Sequence, residues 1–136
     1  SEIPIIFYIG KRNSMAKVNK KKKVDQLVTS CSMVFKSYLY DVVISKNKAN
    51  LWHFTATKKD KKYVVYCAPE LAKVKGIIKV ALKKVPKGSK LVVVCPNHTE
   101  DDKKTAEENE YTLITLTKIK DYGTEMLEAK SRDTVA

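Results

Sequence analysis

The sequence predicts an α/β fold: a single domain with a mixed central sheet flanked by helices, in the order α-β-β-β-α-β-α-β-α. Three observations carry this. Over 24–39 the apolar residues recur at spacings of three and four, the period of a helix with one buried face. Over 41–67, short runs rich in β-branched and aromatic residues are separated by lysine-rich turns, the pattern of an antiparallel meander. Leu91-Val92-Val93-Val94-Cys95 is apolar throughout, as a strand covered on both faces requires.

The elements follow in order. Ile3 to Ile9 is apolar and short, with no basic region before it; it reads as a strand or an extended arm, not as a signal peptide. Residues 1–23 form a basic arm or short strand plus linker, 24–130 the α/β domain and 131–136 a tail. The helix over 24–39 buries Val24, Leu27, Val28, Cys31, Val34, Phe35 and Tyr38. Asp41 to Ser45 is the first strand. Asn50 to Thr57 is the second, with Trp52, Phe54 and Ala56 on one face and Leu51, His53 and Thr55 on the other. Tyr63 to Cys67 is the third. A helix begins at Ala68-Pro69-Glu70, buries Leu71, Val74, Ile77, Ile78, Ala81, Leu82 and Val85, and stops at Pro86 and Gly88. Thr99 caps a polar helix near 100–109, 111–117 is a further strand, and a last helix spans about 118–130. The late strands join the meander through crossover helices, which are right-handed.

The 136 residues carry a formal net charge of +12. Residues 1–90 hold 21 basic and 5 acidic side chains (+16), and residues 91–136 hold 6 basic and 10 acidic (−4). That bias attracts polyanions, and any electrostatic footprint belongs to the first two thirds. The candidates for nucleic-acid contact are Lys20, Lys21, Lys22 and Lys23; then Lys58, Lys59, Lys61 and Lys62; then Lys75, Lys79, Lys83, Lys84 and Lys87. Lys75, Lys79 and Lys83 are spaced at i,i+4 and form a ridge on one helix face. The basic residues are 25 lysines and 2 arginines, which favours phosphate contact over bidentate reading of base edges. Trp52, Phe54, Tyr63 and Tyr66 reach bases only if one sheet face is open; under crossover helices they belong to the core.

Catalytic signatures are sparse. The chain has no nucleophile-elbow serine, phosphate-binding glycine loop or dinucleotide fingerprint. Three cysteines without a CxxC pair read as buried thiols of a reducing, intracellular compartment, cytoplasmic or nuclear. Cys95 and His98 have the spacing of a metal-ligand pair, which Cys67 or His53 would have to complete. No run is long enough for a membrane span.

Lys61-Lys62-Tyr63-Val64-Val65-Tyr66, Lys73-Val74-Lys75-Gly76-Ile77-Ile78-Lys79 and Leu91-Val92-Val93-Val94, with Thr99, Ala106 and Leu113-Ile114 ahead of a final helix, resemble the core of the restriction-endonuclease-like nuclease superfamily. They also resemble the related, non-catalytic N-terminal jaw domain of the fifth, shared subunit of the eukaryotic RNA polymerases. The likeness runs from Leu51 to Ile119. The nuclease resemblance implies an acid on the second strand and an E-x-K or D-x-K motif on the third, holding Mg²⁺ or Mn²⁺. Neither strand carries it here, so the resemblance implies a degenerate copy. A displaced site from Asp41, Glu70 and Lys73 is the enzyme alternative. The reading that results is a non-catalytic protein without a cofactor. It contacts the backbone of DNA or RNA within a replication, transcription or packaging complex. A basic module that binds acidic proteins is the third alternative.

Overall fold

The computed structural model describes residues 21–46 and 51–127. Among the described residues helix α1 covers 21–37, so the lysines at 21–23, expected in a linker, are helical; Lys20 and the rest of the N-terminal arm lie outside the described residues, as do 47–50 and 128–136. The helix is followed by β1 (Asp41–Ile44), β2 (Phe54–Lys58), β3 (Lys61–Cys67), α2 (Lys75–Lys84), β4 (Lys90–Cys95), α3 (Glu100–Glu108), β5 (Thr112–Thr115) and α4 (Leu116–Tyr122). The five strands lie in the sheet in chain order. β1 to β3 are antiparallel neighbours, and β4 and β5 add in parallel, so the sheet is mixed and open, with helices on both faces.

The period of two sorts the strand residues between two cores. Tyr63, Val65 and Cys67 of β3 and Val92 and Val94 of β4 point to one face, where they meet Cys31 and Phe35 of α1 and Ile119 of α4. Val64, Tyr66, Leu91, Val93 and Cys95 point to the other, under Ile78 of α2 and Ala106 of α3. β4 is apolar at every position for this reason: both sides are roofed. α2 and α3 share a face because both cross over from one parallel strand to the next with the same hand.

Three element boundaries differ from the sequence expectation. The second strand begins at Phe54, not Asn50. Phe54 pairs with Val65, yet the His53 N–H also donates to the Val65 carbonyl (2.9 Å), so two residues stand opposite one and the alternation is interrupted. Trp52 therefore packs against the Val64 and Tyr66 side, away from Phe54 and Ala56. The helix expected from Ala68 opens instead as a 3₁₀ turn, Leu71–Lys73, and α2 proper starts at Lys75. Glu70 makes no capping bond there; its carboxylate takes the Lys73 ammonium at 2.7 Å. The helix expected over 118–130 is broken: α4 ends at Tyr122, because Gly123 takes a φ of +84° and turns the chain, and helical residues resume at 125–127.

Candidate nucleic-acid interface

The sheet has two ends, and the lysines divide between them. One end carries the β2–β3 turn, where Lys58 pairs with Lys61 across Lys59 and Asp60. The parallel register sets Tyr63 of β3 beside Lys90 of β4, so the loop that leads into β4 arrives at the same end. A surface recess of about 200 Å³, lined by Asp60, Lys61, Lys62, Tyr63, Gly88 and Lys90, joins the two segments. α2 leaves the far end of β3 and returns to the start of β4, which delivers Lys83 and Lys84 of its last turn here as well. Lys59, Lys62, Lys83, Lys84 and Lys87 are all exposed. The turn end therefore gathers Lys59, Lys61, Lys62, Lys83, Lys84 and Lys87 from segments some twenty-five residues apart, and it adds Lys90, which sequence spacing did not single out.

The other lysines are placed differently. Lys23 borders Pro69, Glu70 and Pro96 at the far end of β3 and β4. Lys21 to Lys23 thus stand from Lys59 by the length of the seven-residue strand β3, about 20 Å at the strand rise per residue. Lys58 faces inward: its ammonium donates to the Tyr38 carbonyl at 2.9 Å and lies 5.5 Å from the centre of the Tyr40 ring. There it satisfies a carbonyl at the end of α1 that has no helical partner. Lys75 pairs with Asp102 at 3.3 Å. Lys79 lines the groove between α2 and α3 with Lys75, Thr105 and Asn109. The expected ridge of Lys75, Lys79 and Lys83 exists, but it runs the length of α2 and meets the basic end only at Lys83.

Three of the four aromatic candidates are structural, and Trp52 is partly buried. Phe54, Tyr63 and Tyr66 are 0%, 2% and 9% exposed, so they have no face to offer a base. Phe54 meets Phe35 edge-on, and Tyr63 lies against Tyr40.

Neither alternative metal site is assembled. Asp41 pairs with Thr57 at the turn end, whereas Glu70 and Lys73 pair with each other beyond the far end of β3. The sheet's length separates Asp41 from Glu70 and Lys73. Cys95 and His98 make separate contacts. The Cys95 thiol is fully buried and contacts the Ile114 carbonyl at 3.8 Å, His98 Nδ1 lies 3.3 Å from the Thr99 carbonyl, and Cys67 points to the opposite face of the sheet. Among the described residues no group of three His, Cys, Asp or Glu side chains is arranged to hold a metal ion.

His53 was placed on a strand face by its spacing, and that spacing carried no hint of its role. Its Nδ1 accepts the Cys67 N–H at 2.9 Å, so the ring proton sits on Nε2, and the ring packs on Tyr66 with centroids 4.7 Å apart. Burial lowers its pKa, against a smaller opposing pull from Asp25. The thiols of Cys67 and Cys95 are held in the neutral form. Cys67 is pushed well up by its hydrogen bond with Cys31 and by burial, and Cys95 up to about 11 by burial and the charge of Asp102. Asp102 is held low, chiefly by the Thr99 N–H.

Among the described residues no helix is long and apolar enough to cross a membrane. No protein-family model, curated protein or solved structure matches this chain.

Proposed function

We propose that this protein is a non-catalytic nucleic-acid-binding protein, intracellular, that grips the phosphate backbone of DNA or RNA through the basic end of its sheet. The observation that carries the reading is the convergence of the β2–β3 turn and the α2–β4 loop, with Lys59, Lys61, Lys62, Lys83, Lys84 and Lys87 at one end. Lysine clusters neutralise successive phosphates and release counterions, which yields affinity with little sequence preference. The meander followed by parallel crossovers supports the likeness to a degenerate nuclease-type core, with Asp41 and Glu70 too far apart to share a cation.

The experiment is a salt titration with labelled duplex and single-stranded DNA and RNA. Each phosphate contact contributes a slope of roughly −0.9 in log affinity against log salt for duplex DNA, and roughly −0.7 for single strands. Changing Lys61, Lys62 and Lys87 together to Gln is expected to flatten the slope by two to three contacts on unrelated sequences. Changing Lys21, Lys22 and Lys23 is expected to have the smaller effect. Binding no tighter than that of an unrelated protein of equal charge would sink the reading.

A second reading has its own observation. Among the described residues β1 is an edge strand with Val43 and Ile44 at 59% and 44% exposure, an apolar edge of the kind protein partners extend. This favours the basic protein-interaction module if nucleic acid does not bind.

A further inference from the structure

Lys59 occupies a backbone position that suits glycine. Its φ is +57°, in the left-handed region where a side chain's Cβ crowds the following carbonyl. With Lys58 paired to Lys61, it is the first of two linking residues in a tight hairpin, a position where glycine or asparagine is the low-strain choice. Among the described residues the other non-glycine residues with positive φ are Leu39 and Glu110. Each stands just past a helix, where the left-handed turn closes the cap: Tyr40 N–H reaches the Phe35 carbonyl at 3.1 Å, and Tyr111 N–H reaches the Ala106 carbonyl at 3.0 Å. Lys59 caps no helix.

What surrounds it explains why a lysine stands there. Lys58 is fastened to the end of α1 through the Tyr38 carbonyl, so the turn has a fixed base. Lys59 is exposed on that base, at the turn whose next residues, Asp60, Lys61 and Lys62, line the recess shared with Gly88 and Lys90. A residue kept against the preference of its backbone, at an exposed point inside a charge cluster, is a functional residue by the usual logic of strained positions.

Building on the nucleic-acid reading above, we infer that Lys59 is a dedicated phosphate-contact residue, kept in a turn position where glycine would make the fold more stable. The test compares the full chain with Lys59→Gly, Lys59→Arg and the control Leu39→Gly, which relieves a left-handed residue of α1's cap. Thermal unfolding and binding to a short labelled DNA duplex are measured between about 50 and 200 mM salt. Lys59→Gly is expected to raise Tm by about 4 °C. It should also weaken duplex binding roughly fivefold or more near 0.1 M salt and reduce the salt slope by about 0.9. Lys59→Arg should keep the affinity, and Leu39→Gly should raise Tm with affinity unchanged. If the wild type binds and Lys59→Gly binds with the same affinity and slope, the inference fails and the nucleic-acid reading stands. If Lys59→Gly does not raise Tm, the claim that lysine is held against stability fails. If the wild type binds no better than a control protein of equal charge, the functional reading itself fails, and the assignment of Lys59 with it.

Discussion

Individual side chains set several tolerances of this protein. Leu39 has a φ of +70° and is 79% exposed, so its side chain gains nothing from burial while its backbone is strained. Leu39→Gly is expected to stabilise the fold by about 0.5–1 kcal/mol, read from the urea midpoint at unchanged m-value. His53 makes stability depend on pH. Its imidazole takes up a proton less readily in the folded chain than at its ordinary value of 6.5. Between its folded pKa and 6.5 the unfolded chain therefore binds more protons. Its contribution is complete above about 6.5 and is lost as pH falls through the folded value. Protonating Nδ1 also removes the acceptor of the Cys67 N–H. Urea unfolding from about pH 7.5 to about pH 5 should show stability falling with pH, and His53→Gln should flatten that fall. A wild-type profile no steeper than the variant's would remove His53 from this role.

Helix ends account for both agreement and disagreement at the level of elements. α3 starts where Thr99 indicated: its hydroxyl accepts the Asp102 N–H at 3.1 Å, and the Asp102 carboxylate accepts the Thr99 N–H at 3.0 Å. Both bonds lie within four residues, so the cap was readable from local chemistry. Thr99→Ala is expected to cost about 1 kcal/mol in denaturant unfolding, with the loss concentrated in α3 amide protection. Pro69 and Glu70 looked like the first turn of a helix, but Glu70 is drawn to Lys73 and the helix waits until Lys75. At α4 the stop is Gly123, whose added Cβ would touch the Tyr38 ring at 3.5 Å and whose φ is +84°. Gly123→Ala is expected to destabilise by about 1 kcal/mol or more, because alanine there carries the left-handed strain. Tyr38 joins that corner across 82 positions by donating to the Lys120 carbonyl at 3.1 Å.

Across the whole molecule, two cores back to back make the sheet hard to open. Phe54 is fully buried and contacts Phe35, so Phe54→Ala is expected to cost about 3–5 kcal/mol, enough to approach the full stability of a small domain. Cys31, Cys67 and Cys95 share this protection, at 0%, 1% and 0% exposure. A thiol reagent should modify them in the native state only at the rate of unfolding, and rapid labelling of all three would contradict the packing. Charge is laid out on the same scale. α3 brings Glu107 and Glu108 to the turn end on the β5 side, so the basic surface is bounded by acids at one edge and belongs to β2, β3 and β4.

Spacing and local chemistry were enough to read the fold class, the strand and helix order, the buried thiols and the α3 cap. Those properties depend on a period of two or 3.6 and on bonds between residues a few positions apart. The candidate site was readable only as a list of lysines. Which of them act together depends on the direction in which each element crosses the sheet. α1 holds Lys23 at the far end; α2 ends toward the turn end, and the loop after it brings Gly88 and Lys90 beside Lys61 and Lys62. Partners were equally hidden: Lys75 is claimed by Asp102 and Lys58 by the Tyr38 carbonyl, each more than fifteen positions away. A lysine's charge is a property of its residue type, but its neighbours, and so its availability to a phosphate, are set by strand register and crossover geometry, which only the packed sheet supplies.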